Sequence, residues 1–96
     1  MKVSFDYDGT LSTEEGQNLF KRTLGEKYVI TARHPSDRYE VYEVTDRLRI
    51  PRDRVFFTGS NQNKVKQIES LKIDIHYDNN LGVATALKSK GRYFHP

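Results

Sequence analysis

Short apolar segments typical of β-strands alternate along this chain with longer segments whose apolar residues recur at helical spacing. The predicted strands are 2–6, 28–31, 55–57 and 73–78, with a short fifth strand near 93–94. Strands that alternate with helices of about 10 to 15 residues form parallel sheets with right-handed crossovers. The pattern therefore predicts an α/β fold, a three-layer Rossmann-like domain with a parallel sheet of four to five strands.

Four helices are predicted between these strands from capping residues and helix breakers. Ser12 with Glu15 fits a capping box at the start of the first helix, and Gly25 marks its end. The second helix is expected between Pro35 and Pro51, the third after 58–60, and the fourth before Gly91. The residues expected to face the core are Leu19, Phe20, Thr23, Leu24, Val41, Val44, Leu48, Val65, Ile68, Leu71, Val83, Ala86 and Leu87.

Composition excludes several classes of protein. The 96 residues are enough for one domain, covering 1–96, and leave no linker. The absence of cysteine excludes a disulfide scaffold, a thiolate metal site and a cysteine nucleophile. No apolar run approaches the roughly 20 residues that span a bilayer, and no basic-then-apolar leader opens the sequence. We therefore expect a cytoplasmic protein with no membrane partner.

Polar residues recur where the predicted strands end. Asp6 ends the first strand and Asp8 follows it, Thr31 ends the second strand, and Asp78 ends the fourth. Lys64 lies near the start of the third helix. Because ligands of open parallel sheets bind at the carboxyl ends of the strands, we expect these five residues to converge on one pocket.

This set of residues suits phosphoryl chemistry. The carboxylates of Asp6 and Asp78, with the main-chain carbonyl of Asp8, form a hard oxygen site suited to Mg²⁺. A carboxylate beside Mg²⁺ can attack phosphorus, and a second one two residues later can serve as general acid and base. Thr31 could donate a hydrogen bond to a phosphoryl oxygen, and Lys64 could neutralise charge in the transition state.

Four segments of the sequence resemble, in order, the motifs of the haloacid dehalogenase-like phosphatases. The first is Phe5-Asp6-Tyr7-Asp8-Gly9-Thr10-Leu11, and the second, Val29-Ile30-Thr31-Ala32-Arg33, has the threonine form common among nucleotidase-like members. Lys64 is similar to the lysine of the third motif, and Ile75-His76-Tyr77-Asp78-Asn79 resembles the acidic fourth motif. The resemblance covers nearly the whole chain.

The resemblance implies a role for each matching residue. It makes Asp6 the nucleophile and Asp8 the general acid and base, and it assigns phosphate binding to Thr31 and Lys64. It assigns metal binding to Asp6, Asp8 and Asp78, with Mg²⁺ as the cofactor. Asn79 stands where many relatives have a second acid, and Arg33 and Asn79 are candidates for substrate or outer-shell contacts.

The segments between the motifs are too short for the cap domain that many members of this family carry. Neither 9–27 nor 58–73 could hold one, so we expect an open site. Such a site suits a large substrate such as a phosphorylated polynucleotide end or a protein, unless a neighbouring subunit covers it. The threonine form of the second motif favours nucleotides. The net charge of +3 is only weakly compatible with nucleic acid.

Two other functions fit parts of the pattern. A response-regulator receiver also uses Asp, Thr, Lys and Mg²⁺, but its acceptor Asp ends the third strand, where this chain has Thr58-Gly59-Ser60. A degenerate relative would bind phosphate or a partner without turnover. The sequence does not assign roles to Tyr7, His34, His76 or the arginine-rich stretch 47–54, although a histidine inside a strand is more often packed than catalytic.

Overall fold

A five-stranded, all-parallel sheet forms the centre of the computed structural model, which describes residues 1–96. The strand order is β3-β2-β1-β4-β5. Since β1 lies between β2 and β4, the order reverses between β1 and β4, and this is where ligands bind in open α/β sheets. The predicted α/β architecture is therefore confirmed. The strands are β1 Lys2–Phe5, β2 Glu26–Thr31, β3 Val55–Phe57, β4 Ile75–Asp78 and β5 Gly91–Tyr93.

Four α-helices connect the strands. They are α1 Glu14–Arg22, α2 Arg38–Arg47, α3 Asn61–Ser70 and α4 Leu81–Ala86. A wide turn at Tyr7–Leu11 joins β1 to α1. No helix is long and apolar enough to cross a membrane.

The helices cover both faces of the sheet, so the fold has three layers. One core cluster packs Phe5 and Val29 of the sheet against Phe20 of α1 and Val41 of α2. The second cluster packs the opposite face against α3 and α4 and includes Ile30, Ile68, Ile73, Val83 and Leu87. Both faces of the sheet are thus buried, as parallel sheets require.

The predicted start and end of α1 were wrong by one to two residues. Thr13, not Ser12, caps the helix, since its Oγ1 accepts a hydrogen bond from the Gly16 N–H at 3.0 Å. The Ser12 hydroxyl accepts instead from the Gly9 N–H, also at 3.0 Å, and so stabilises the preceding turn. The helix ends at Arg22, and Leu24 is 87% exposed rather than buried, because it lies in the connection to β2.

Other boundaries and one inward-facing residue also differ from the prediction, and β2, β4 and β5 begin two residues away from their predicted starts. Pro35 begins a short 3₁₀ turn, and α2 starts only at Arg38. In α4, Ala84 is buried and Ala86 is exposed, because Val83 and Leu87 set the inward face at a spacing of four. Gly91 begins β5, and another 3₁₀ turn separates it from α4.

No cap domain is inserted into this core. Between β1 and β2 lie only the wide turn and α1, and between β3 and β4 lies only α3. The carboxyl ends of β1 and β4 are therefore not covered by any further element between the strands.

Candidate active site

Asp6 and Asp8 are positioned by the wide turn that follows β1. The Asp6 N–H donates to the Tyr77 carbonyl at 2.9 Å, which continues the pairing of β1 with β4. The Leu11 N–H donates back to the Asp6 carbonyl at 3.1 Å and closes the turn. The Asp6 side chain is buried, and the Asp8 side chain is largely exposed. Two carboxylates of different accessibility therefore follow one strand.

Lys64 joins the carboxylates that end β1 and β4. Its side chain is buried, and its Nζ donates to Asp6 Oδ1 at 2.8 Å and to Asp78 Oδ2 at 2.9 Å. Ser60 begins α3 by accepting from the Asn63 N–H at 3.0 Å, so the first turn of the helix, which carries Lys64, faces the strand ends. Three of the five predicted residues thus meet in one buried cluster.

His76 supports this cluster from inside β4. Its Nε2 lies 2.8 Å from Asp78 Oδ2, and its Nδ1 lies 2.6 Å from the Ser4 hydroxyl. Because an ionised carboxylate only accepts hydrogen bonds, Nε2 carries the proton and Nδ1 accepts from Ser4. His76 is fully buried, as expected for a packed histidine, but its contact with Asp78 was not predicted.

A sequence signal for this arrangement exists in both strands. Ser4 and Asp6 alternate with apolar residues in and after β1, and His76 and Asp78 alternate in the same way in β4. The register pairs Ser4 with His76, so the four side chains lie on the same face of the sheet. Polar residues at alternate positions of two buried parallel strands therefore indicate a polar network on one face.

The buried carboxylates have opposite pKa shifts. Burial raises the pKa of Asp6 to about 7, and the charge of Lys64 only partly offsets this. Burial would also raise the pKa of Asp78, but hydrogen bonds from His76 and the charge of Lys64 outweigh it, so this pKa falls below its usual value. Burial lowers the pKa of His76, which favours the neutral ring.

Arg33 holds the Asp8 carboxylate through both of its oxygens. Arg33 Nε donates to Oδ2 at 2.9 Å and Nη2 donates to Oδ1 at 2.8 Å. The same Nη2 is 3.4 Å from Glu40 Oε2, and the guanidinium carbon lies 5.1 Å from the centre of the Tyr7 ring. Arg33, which the sequence marked as an outer-shell candidate, is thus in direct contact with the predicted general acid.

The side chains of Thr31 and Asn79 form no hydrogen bond with Asp6, Lys64 or Asp78. Thr31 ends β2 and is fully buried, and its hydroxyl accepts from the Arg33 N–H at 3.2 Å. It does not line the cavity that opens onto the Asp6–Lys64–Asp78 cluster, although its neighbour Ala32 does. The exposed Asn79 lies against Gly9, which has φ of +75°, and a Cβ at Gly9 would lie 2.0 Å from Asn79 Nδ2.

The fold gives structural roles to three features that the sequence left without one: Tyr7, His34 and the stretch 47–54. Tyr7 is buried, and its hydroxyl donates to the Glu40 carbonyl at 3.2 Å. His34 is exposed and caps the turn after β2 by accepting from the Ser36 N–H at 3.2 Å. The stretch 47–54 joins the end of α2 to the start of β3, at the opposite ends of the strands from the site.

A cavity of about 250 Å³ opens onto the cluster. Four of the five predicted catalytic, phosphate-binding and metal-binding residues line it, and a group of asparagines forms part of its wall. The lining residues are Asp6, Asp8, Gly9, Ala32, Asn61, Lys64, Asp78, Asn79 and Asn80.

The donor set of this cavity fits Mg²⁺. With both carboxylates ionised, Asp6, Asp78 and Lys64 carry a net charge of −1, which one more cation would offset. Carboxylate oxygens are ligands that Mg²⁺ prefers, and it commonly binds through one or two of them. No group of three or more His, Cys, Asp or Glu side chains is arranged to hold a metal.

Comparisons with protein-family models, curated proteins and solved structures find no significant match. The resemblance to haloacid dehalogenase-like phosphatases therefore stays a prediction from the motifs.

Proposed function

We propose that this protein is a Mg²⁺-dependent phosphomonoester hydrolase of the haloacid dehalogenase-like type, acting through an aspartyl-phosphate on Asp6. The observation that carries the proposal is the convergence of Asp6, Asp8, Lys64 and Asp78 on one cavity where the strand order reverses. A nucleophile, a proton donor and a cation are the groups that such a reaction needs.

In the first step, a carboxylate oxygen of Asp6 attacks phosphorus and the bond from phosphorus to the ester oxygen breaks. Asp8, protonated and released from its two hydrogen bonds with Arg33, gives its proton to the departing alkoxide. In the second step, Asp8 takes a proton from water, whose oxygen attacks phosphorus and releases inorganic phosphate and the Asp6 carboxylate. The Asp8 side chain is 57% exposed and can exchange protons with solvent once Arg33 releases it, whereas the Asp6 side chain is 6% exposed.

Lys64 and the residues around it hold the nucleophile in place. The hydrogen bond of 2.8 Å to Lys64 orients Asp6, and the ammonium would stabilise negative charge on the phosphoryl oxygens. Asp6, Asp78 and the carbonyl of Asp8 would hold Mg²⁺, which supplies positive charge to the phosphoryl group and to the two carboxylates. His76 and Ser4 fix the orientation of Asp78 through the contacts at 2.8 Å and 2.6 Å.

Because no cap covers the site, the leaving group of the substrate would contact only residues at the open rim of the cavity. We propose a nucleotide or a phosphorylated polynucleotide end as this substrate. Thr31 is proposed to contribute to phosphate binding if the 33–37 segment moves, because its side chain is now fully buried. Its hydroxyl accepts from the Arg33 N–H and keeps its own proton to donate to a phosphoryl oxygen. A reducing compartment such as the cytoplasm is consistent with the absence of cysteine.

Phosphate release from a small panel tests the proposal. The panel contains 4-nitrophenyl phosphate, 5′- and 3′-nucleotides, and 5′- and 3′-phosphorylated oligonucleotides, each with Mg²⁺ and with chelator. We expect Mg²⁺-dependent release that Asp6→Asn abolishes. Asp53→Asn is the matched control, because Asp53 is an exposed carboxylate at the opposite ends of the strands.

The same panel separates hydrolysis from binding alone. A degenerate domain would bind phosphate but release none from any substrate, with or without Mg²⁺. Release that persists undiminished in Asp6→Asn would exclude Asp6 as the nucleophile.

A further inference from the structure

A second cavity adjoins the catalytic one, between α3 and α4. Its volume is about 290 Å³, and Asn61 and Asn80 line both cavities. Asn61 begins α3, and Asn80 caps α4. A ligand whose phosphate lies in the catalytic cavity could therefore extend past these two residues into the second one, which we call the amide groove.

The lining of the amide groove is neutral. Its polar side chains are the amides of Asn61, Gln62 and Asn80, and no charged residue lines it. Its apolar part consists of Val65, Val83 and Ala86. The catalytic cavity, in contrast, is lined by three carboxylates and an ammonium. The two cavities therefore suit different parts of one ligand, a charged part and a neutral part.

The amide side chains of the groove keep donor and acceptor groups that no other protein group engages. Asn80 Oδ1 accepts from the Val83 N–H at 3.1 Å and caps α4, which leaves the Asn80 Nδ2 to donate elsewhere. Asn61 and Gln62 are both exposed at the start of α3. Each amide offers a donor and an acceptor at a rim above an apolar surface.

We propose that the amide groove binds the nucleobase of the substrate, from a free nucleotide or from the terminal nucleotide of a polynucleotide. This inference rests on the proposed phosphatase function, for which it names the leaving group. A nucleobase is planar and uncharged, with apolar faces to cover Val65 and Ala86 and an edge of donors and acceptors. Asn and Gln side chains pair with such edges.

Other leaving groups match the groove less well. A sugar carries hydroxyls around its ring and would place polar surface against the apolar residues, which costs free energy. A charged leaving group would find no opposite charge in the lining. The neutral, amide-rimmed surface thus favours a base over either.

Substitutions on two neighbouring residues of α4 test the inference. Ala86→Phe fills the amide groove, and Ala86 is exposed, so the fold can accept the larger side chain. Thr85→Phe is the matched control, because Thr85 is also exposed but does not line the groove. The readout is kcat/KM for adenosine 5′-monophosphate divided by kcat/KM for ribose 5-phosphate, which has the same sugar and phosphate but no base.

We expect Ala86→Phe to lower this ratio by about 10-fold or more, since the base loses both its apolar and its hydrogen-bonding contacts. Thr85→Phe should leave the ratio within about twofold of the wild type. A ratio unchanged by Ala86→Phe overturns the inference. Repeating the comparison with a 5′-phosphorylated oligonucleotide shows whether the base belongs to a free nucleotide or to a strand end.

A binding measurement keeps the two proposals distinguishable. If the wild type hydrolyses neither substrate, the proposed function fails, and calorimetric titration with adenosine 5′-monophosphate then tests the groove alone. Binding that Ala86→Phe weakens and Thr85→Phe does not weaken supports the groove. Equal binding by all three proteins, or none by the wild type, overturns it.

Discussion

Lys64 Nζ lies 2.9 Å from Asp78 Oδ2, and the same ammonium lies 2.8 Å from Asp6 Oδ1. Replacing Lys64 with methionine removes the only cation among these buried side chains. Breaking a buried ion pair from one side costs about 3–5 kcal/mol, because the remaining charge is left without a partner. We therefore expect Lys64→Met to lower the free energy of unfolding by this order in chelator, measured by urea denaturation.

Lys66→Met is the control for this substitution. Lys66 is exposed on the same helix, so its replacement should change the free energy of unfolding by less than about 0.5 kcal/mol. A Lys64→Met protein as stable as the Lys66→Met protein would show that the buried carboxylates do not depend on this ammonium.

The Arg33–Asp8 pair should matter far less for stability, although its geometry is bidentate. The Arg33 side chain is 22% exposed and that of Asp8 is 57% exposed, so water competes with the contact. Ion pairs of this kind contribute about 0–1 kcal/mol. We expect Arg33→Met to lower the free energy of unfolding by no more than this, again in urea.

Arg52→Met is the comparison for Arg33→Met, because Arg52 forms an exposed pair with Asp46 at 2.8 Å. The two losses should be similar. A loss for Arg33→Met close to that for Lys64→Met would mean that Arg33 supports the structure of the site and not only the side chain of Asp8.

The sequence predicted the succession of strands and helices along the chain better than it predicted the contacts between side chains. Asp6, Lys64 and Asp78 could be placed together because parallel strands end on the same side of a sheet. The same argument placed Thr31 in the pocket, but the structure buries its hydroxyl under the Arg33 N–H. Topology fixes which residues end a strand, whereas local turn geometry decides which of them reach a cavity.

Contacts that depend on register were beyond the sequence reasoning. His76 meets Ser4 because β1 and β4 pair in parallel at these two residues. That pairing depends on the strand order, which the alternation of strands and helices does not specify. The cap of α1 was misplaced for a local reason, since Ser12 and Thr13 are both good capping residues and the turn uses Ser12 to hold Gly9.

Mg²⁺ should raise the thermal stability of the wild type. A ligand that binds only the folded state at ten times its Kd adds about 1.4 kcal/mol, or about 6 °C or more in Tm for a domain of this size. Asp78→Asn should remove most of the shift, because it removes one of the two carboxylates proposed to hold the metal. Differential scanning fluorimetry with and without millimolar Mg²⁺ measures the effect.

The exposed Asp53→Asn substitution is the control for the Mg²⁺ effect and should preserve the full shift in Tm. An unchanged Tm of the wild type in Mg²⁺ would count against the metal site. An equal shift in the Asp78→Asn protein would place the cation elsewhere.

In chelator, the raised pKa of Asp6 should make the wild type less stable as the pH rises. Burial raises this pKa from 3.8 to about 7, so the folded state holds a proton that the unfolded state has released. The contribution of this group is thus fully present below about pH 4 and is lost as the pH approaches about 7. Asp6→Asn mimics the protonated form and lacks this dependence.

The measurement is the free energy of unfolding of the wild type minus that of Asp6→Asn, from urea denaturation between pH 4 and 8. We expect the difference to fall by at most about 1.4 kcal/mol per pH unit up to about pH 7 and then to level off. The same difference taken with Asp53→Asn should show no such fall. A wild type that gains stability over Asp6→Asn as the pH rises would contradict the raised pKa.

Gly9 should tolerate no side chain, for two separable reasons. Its φ of +75° is unfavourable for other residues and costs an alanine roughly 1–2 kcal/mol. A Cβ there would also lie 2.0 Å from Asn79 Nδ2 and 2.6 Å from Asn79 Cγ, so Asn79 would have to move. Gly59 has φ of +83° but nothing within 4 Å of a Cβ, so Gly59→Ala reports the backbone cost alone.

We therefore expect Gly9→Ala to lower the free energy of unfolding by more than Gly59→Ala does, in urea denaturation. In an Asn79→Ala background the steric part is removed, because the Asn79 atoms that a Cβ would meet are absent. The cost of Gly9→Ala should then fall to about that of Gly59→Ala. If its excess cost persists in that background, Asn79 is not what excludes a side chain at Gly9, and the backbone of the turn itself must be the cause.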